Sequence, residues 1–212
     1  MLVKSFVFNP FEENTYVVSD STGECVIIDP GCYTAEEQQR LSDYIRSENL
    51  TPVRLLNTHA HLDHILGNEF VYRTWKLLPE LHPADLELLK AGHLYGEVWG
   101  IRATPSPEPG RFLNDGDTVT FGSTGLKVIF VPGHCPGHVA FFSAEHKTVF
   151  SGDVLFKGSI GRTDLPGGDY DLLIRSIHER MLTLEDAVRV YSGHGPSTTI
   201  GEERRSNPFI IG

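Results

Sequence analysis

The chain is poor in cysteine, in long apolar runs and in positive charge. Its three cysteines, Cys25, Cys32 and Cys135, are odd in number and form no CxxC pair. That argues against a disulfide framework and fits a reducing cytoplasm. No stretch approaches the roughly 18 apolar residues of a spanning helix. The opening "MLVKSFVFNPFEENTY" meets polar residues too early for the apolar region of a signal peptide, so neither leader nor membrane span is expected. Lysine and arginine together number 18 against 28 acidic residues, a formal net charge of -10. Nonspecific nucleic-acid binding needs basic surface to replace counterions, and this balance speaks against it. A locally positive pocket for an acidic small molecule stays compatible with an acidic surface.

What is present supports a sizeable core. Hydrophobic residues make up 40% of the 212, and 21 glycines with 13 prolines imply many turns. The length suits one domain over residues 1–212. "KSFVFNP", "NTYVVSD" and "ECVIIDPG" read as three short strands, the last stopped at Asp29-Pro30-Gly31. "TAEEQQRLSDYIRSENL" reads as a helix with Leu41, Tyr44 and Ile45 on one face, and Thr34 with Glu37 has the spacing of a capping box. "VRLLNTH" is a further strand. "NEFVYRTW" and "HPADLELLKAGHLYG" read as helices, the second with a cap at Pro83-Ala84-Asp85. A proline-rich loop, "RATPSPEPG", leads into a second strand-rich half, "DTVTFG", "LKVIFVPGH" and "HVAFFSAEHKTVFSGD". "DYDLLIRSIHERMLTL" is amphipathic through Leu172, Ile174, Ile177 and Met181. A short strand, "VRVYSGHG", and a short tail helix stopped by Pro208 complete the chain.

The chemistry concentrates at strand ends. "NTHAHLDHILGN" carries His59, His61, Asp63 and His64 within six positions, directly after an apolar run. His59 and His61 are two apart and point the same way on extended backbone. His134, Asp153 and His194 each follow a glycine at the end of a β-rich run, where glycine lets the chain turn sharply. The seven divide into two metal sites. His59, His61 and His134 give three imidazoles to one ion, and Asp63, His64 and His194 hold the second. Asp153 bridges both. Nitrogen and oxygen donors suit zinc, two per chain, and equally iron or manganese. A structural zinc staple prefers four closed ligands, often cysteine, and fits this set poorly. His138 is a candidate to support the site from outside. Cys135 either tunes the pocket or fills it.

The ordered run "THAHLDH", "PGHCPGH", "SGDVLF" and "SGHG" resembles the metallo-β-lactamase superfamily, and covers nearly the whole chain. The resemblance implies an α/β fold, an αββα sandwich of two mixed β-sheets flanked by helices, and the same seven metal ligands. Within the superfamily the chain resembles the short, single-domain bacterial relatives of glyoxalase II, the hydroxyacylglutathione hydrolases. That likeness implies a cytoplasmic, metal-dependent hydrolase of a small-molecule thioester, S-lactoylglutathione or a related hydroxyacylglutathione, attacked by a metal-bridging hydroxide. Asp63 and Asp153 would then belong to the catalytic centre as ligands. A homo-oligomer is compatible with it.

"GDVLFKGSIGRTDLPGGD" carries the narrower likeness. In glyoxalase II the segment after the bridging aspartate supplies a basic residue to glutathione, and Arg162 stands at that place. Its guanidinium either holds a substrate carboxylate bidentately or organises the loop through Asp164 or Asp169. Full-length glyoxalase II enzymes carry a C-terminal helical domain, and the 18 residues after His194 are too few for one. Tyr95 and Trp99 either line a pocket mouth or pack. The rival within the superfamily is a mononuclear-iron persulfide dioxygenase using His59, His134 and Asp153. Hydrolysis of another ester or lactone, or of a β-lactam, is a further alternative, and a metal-binding protein without turnover is the reading from a different class.

Overall fold

The computed structural model describes residues 1–211. They divide into two compact units, 1–113 with 120–125, and 114–119 with 126–212.

The first unit is built on a six-stranded mixed sheet. Strands β1 (Leu2–Phe8), β2 (Glu13–Ser19) and β3 (Glu24–Ile28) run antiparallel, and β4 (Thr51–Leu56), β5 (Pro79–Leu81) and β6 (Arg111–Phe112) continue parallel to β3. Helix α1 (Ala35–Ser47) makes the crossover between β3 and β4, the connection a parallel pair requires. Its start is the expected capping box. Thr34 Oγ1 accepts the Glu37 N–H at 3.2 Å, and Glu37 Oε2 accepts the Thr34 N–H at 2.8 Å. Leu41 and Ile45 pack with Phe8, Val17, Ile27 and Leu55. Beyond β4 come α2 (Leu62–Ile65), α3 (Asn68–Trp75) and α4 (Leu86–Val98). Gly92 lets α4 close onto α2, because a Cβ there would stand 2.5 Å from Ile65 Cδ1.

The second unit is built around a sheet ordered β14-β13-β10-β9-β8-β7. Its strands are β7 (Thr118–Phe121), β8 (Thr124–Phe130), β9 (Val139–Ser143), β10 (Thr148–Gly152), β13 (Arg189–Ser192) and β14 (Thr198–Thr199). A two-stranded hairpin, β11 (Leu155–Phe156) with β12 (Ser159–Ile160), follows β10. Strands β10 and β13 are parallel, so this sheet is also mixed. Helix α5 (Tyr170–Ser176) runs on into one π turn, Ile177–Met181. The fully buried face is Leu173, Ile177 and Met181, packed with Val149, Val190 and Ile200, while Leu172 is only half-buried. The expected stripe was therefore one residue off at its start. The tail helix α6 (Ile200–Ser206) is capped by Thr199, and Pro208 opens a further short helix α7 (Pro208–Ile211), the position at which proline is tolerated. Among the described residues no helix is long and apolar enough to cross a membrane.

Candidate metal centre

In the first unit, β4 ends at Leu56 and the chain bends at Thr58 before reaching His61, whose backbone is extended, and α2 begins after it. His59 and His61 lie on this connection, and Asp63 and His64 lie in the first turn of α2. The result is a tight cluster. The His59 ring is 4.9 Å from His61 and 4.1 Å from His64, centroid to centroid, and His64 Nε2 is 3.5 Å from Asp63 Oδ2. His59 and His64 are fully buried, while His61 and Asp63 are partly open.

Asp29 organises this cluster, a role its place as a strand stop did not reveal. Its Oδ1 accepts the Thr58 N–H at 2.7 Å, and its Oδ2 accepts the Thr58 hydroxyl at 2.6 Å. The same Oδ2 lies 3.1 Å from His64 Nδ1. A carboxylate only accepts, so the His64 proton sits on Nδ1 and Nε2 keeps its lone pair. The Thr58 hydroxyl spends its one hydrogen in the bond it donates to Asp29, so at 3.0 Å it accepts from His59 Nδ1. His59 Nε2 is thereby also a lone-pair donor. One aspartate fixes two imidazoles in the tautomer that binds metal through Nε2.

Three further residues support the cluster in ways the sequence does not show. Asp85 does not cap α4 with its side chain; its Oδ2 accepts the N–H of Ala60, between His59 and His61, at 3.0 Å. Glu13, also fully buried, has Oε1 4.0 Å from His64 Nδ1, and burial pushes its carboxyl well above the ordinary carboxylate range. Asn9 ties the β1–β2 turn to the cluster by donating to the carbonyls of Gly31 and Asp63, each at 3.0 Å. No local pattern marks these residues, since the partners named here lie 22 to 54 positions away in sequence.

The second unit brings His134, Asp153 and His194 together. Each stands just past a strand and follows glycine, as expected; Gly133 and Gly152 have φ of +132° and +50°. Asp153 Oδ2 lies 3.7 Å from His134 Nε2 and 3.5 Å from His194 Nε2, so one carboxylate oxygen faces both rings. His134 Nδ1 meets the Arg162 carbonyl at 2.7 Å. A carbonyl cannot donate, so this ring too carries its proton on Nδ1 and offers Nε2. His138 is placed as a supporting residue: its Nε2 accepts the Asp153 N–H at 3.0 Å. Gly161 allows the close return of the chain, since a Cβ there would sit 1.9 Å from the Asp153 carbonyl oxygen.

Arg162 does two things. Its carbonyl orients His134, and its guanidinium grips Asp164 bidentately, Nε and Nη2 each 2.7 Å from a carboxylate oxygen. That pairing holds the Asp164 carboxyl down at about 2. Asp169 instead caps α5, accepting the Leu172 N–H at 2.9 Å. Cys135 is fully buried.

The donor set in each unit is imidazole Nε2 plus carboxylate oxygen, with the opposite ring nitrogens of His59, His64 and His134 tied down. That is the chemistry of a divalent metal site with zinc, iron or manganese as candidates. The comparisons with known proteins agree. The model of the metallo-beta-lactamase superfamily matches residues 8–194. The chain belongs to that superfamily. It is 40% identical over 206 residues to the probable metallo-hydrolase YqgX of Bacillus subtilis, covering 96% of this chain and 94% of that one. It is 37% identical over 206 residues to the hydroxyacylglutathione hydrolase GloC of Haemophilus influenzae, covering 94% and 93%. Among solved structures it is similar to the BLEG-1 B3 metallo-beta-lactamase, with TM-score 0.92 and 38% identity over 100% of both chains. It is also similar to TTHA1623 in a di-iron-bound form, with TM-score 0.88 and 42% identity over 98% of this chain and 100% of that one. The fold is the metallo-β-lactamase fold, mixed sheets flanked by helices, and the protein is a metallo-hydrolase of that superfamily.

Proposed function

We propose that this superfamily member is a cytoplasmic thioester hydrolase, acting as one catalytic domain on S-lactoylglutathione or a related hydroxyacylglutathione. His59, His61 and His134 would hold one divalent ion, Asp63, His64 and His194 a second, with Asp153 shared between them; zinc is the first candidate. The observation that carries the reading is the enforced Nε2 lone pairs of His59, His64 and His134, together with the Asp153 oxygen that faces both His134 and His194. The 37% identity to GloC supports the glutathione-linked substrate.

When bound, two such ions supply hydroxide at neutral pH and polarise the substrate carbonyl. The chain's own part is to hold and orient. Asp29 fixes the His59 and His64 tautomers, the Arg162 carbonyl fixes His134, and His138 holds the backbone of Asp153. In the overall reaction the acyl C–S bond breaks, water oxygen joins the acyl carbon, and the sulfur leaves as thiol after taking a proton. Arg162 would hold a carboxylate of the glutathione moiety by exchanging Asp164 for it; both side chains are more than half exposed, so the existing pair is cheap to open.

A second reading, β-lactam hydrolysis, is favoured by the likeness to BLEG-1. The deciding experiment is hydrolysis of S-lactoylglutathione and of a chromogenic cephalosporin by one sample, with metal counted by elemental analysis. Thioester cleavage with about two metals per chain supports the proposal. Cephalosporin cleavage alone would replace it, and one iron with oxygen uptake on glutathione persulfide would point to a dioxygenase.

A further inference from the structure

Resting on the thioester reading, we propose that Phe11 and Trp99 form a subsite for an apolar acyl group, making the enzyme prefer thioesters with acyl chains larger and less polar than lactoyl. The residues beside the ligand-bearing helix α2 carry this. Leu62 and Leu66 flank Asp63 and His64 and pack with Ile101, Phe11, Tyr33 and Ala103. Phe11 is held to that helix by short links. Its N–H donates to Asn9 Oδ1 at 3.0 Å, and Asn9 Nδ2 donates to the Asp63 carbonyl at 3.0 Å. Trp99 meets Phe11 edge to face at 5.7 Å, yet remains 60% exposed.

The exposed indole is placed by the backbone of α4. Gly92 and Gly96 are four apart and form a seam on one side of the helix. A Cβ at Gly92 would strike Ile65 of α2, and one at Gly96 would come within 2.5 Å of the Ile101 carbonyl oxygen. Ile101 donates its N–H back to the Gly96 carbonyl at 2.8 Å, closing the turn that carries Trp99. The Tyr33 hydroxyl accepts the Arg102 N–H at 3.3 Å and secures the returning chain. Tyr95, four residues before Trp99 and on the same helical face, is 41% exposed. An aromatic pair that joins the apolar packing beside α2 and is left open marks a ligand surface more than a packing accident.

The occupant follows from continuity and polarity. This surface continues the apolar cluster of Leu62 and Leu66 on the helix that carries Asp63 and His64, and Asn9 ties Phe11 to the Asp63 carbonyl, so it would border what flanks the reacting carbonyl. The thiol half of such a substrate, glutathione, is a charged, polar peptide with little to bury against an indole. Lactoyl is small and hydroxylated. An alkyl or aryl acyl group is the portion of a thioester that this surface would desolvate.

The chain has two tryptophans, Trp75 and Trp99, so Trp75→Phe makes Trp99 the sole indole reporter. Titrating that zinc-loaded variant with S-hexylglutathione and with S-methylglutathione should blue-shift emission only for the hexyl compound, which binds roughly tenfold tighter. Phe11→Ala should abolish the preference. In parallel, Trp99→Ala should lower the ratio of kcat/KM for hexanoylglutathione over lactoylglutathione roughly tenfold, mainly through KM, and Trp99→Phe should restore most of it. Equal binding of the two thioethers without a spectral shift overturns the subsite, as does a Trp99→Ala variant whose substrate ratio is unchanged and whose self-association alone is altered. If no thioester is cleaved but the hexyl shift appears, the thioester reading falls and the apolar subsite stands.

Discussion

The carboxylate of Asp85 accepts the backbone N–H of Ala60 at 3.0 Å, and both residues are buried. Ala60 sits between His59 and His61, so this bond fixes the connection that carries both imidazoles. Asp85→Ala should strand a buried donor at a cost of about 1–3 kcal/mol. It should also weaken zinc binding by roughly 10- to 100-fold, the usual effect of losing an outer support. Competition with a chromophoric chelator and a thermal melt read the two effects separately. Asp85→Asn keeps an acceptor oxygen and should recover much of the affinity; an Asp85→Ala protein with wild-type affinity would show that the stretch needs no such anchor.

Gly161 tests the other half of the centre. The atom its Cβ would strike is the Asp153 carbonyl oxygen, which cannot rotate aside as a flexible side chain can. Gly161→Ala should displace Asp153 and leave the purified protein with markedly less bound metal. Gly158 provides the comparison: its φ is positive, at +68°, unlike that of Gly161, but a Cβ there meets nothing within 4 Å. Gly158→Ala should cost about 1–2 kcal/mol through backbone strain and retain full metal content. Equal metal loss in the two variants would refute the steric account.

Arg162 and Asp164 separate substrate recognition from loop bracing. If the guanidinium exchanges Asp164 for a substrate carboxylate, Asp164→Ala removes a competitor and should lower KM for S-lactoylglutathione about twofold. Arg162→Ala should raise it about tenfold, the scale of one charge-assisted pair. Shifts of the two variants in the same direction would confine Arg162 to the loop.

The periodic elements and the residue types gathered at the candidate centre were legible because both are local. The capping box at Thr34 and Glu37, and the glycine before each of His134, Asp153 and His194, needed only a few neighbouring residues to be read. Asp29, Glu13, Asn9 and Asp85 were not legible in the same way. Asp29 ends a strand and looks like a turn residue until Thr58 and His64, 29 and 35 positions on, are folded against it. Asp85 looked like a helix cap because aspartate before an apolar run usually is one, and the Ala60 amide outcompeted that use. The onset of the buried face in α5 was misplaced because half-buried Leu172 and Ile174 flank Leu173, and side-chain polarity alone does not distinguish the three.

Asp20 gives a pH-dependent test away from the metal centre. Its Oδ1 accepts the Thr22 hydroxyl and N–H at 2.5 and 2.8 Å, and its Oδ2 accepts the Ser123 N–H and hydroxyl at 2.6 and 2.9 Å. These bonds to the charged form, the Thr22 hydroxyl foremost, hold the carboxyl well below its ordinary range. A folded-state value below the unfolded one means the stabilisation is complete above about pH 4 and is lost as pH falls toward the folded value. Asp20→Asn should therefore be less stable than the parent at pH 7. The gap should narrow steadily between about pH 4 and pH 2, as protons are taken up by the unfolded parent chain first. Urea denaturation of both proteins across that range measures the difference, and parallel stability curves would mean that Asp20 titrates alike in the folded and unfolded chains.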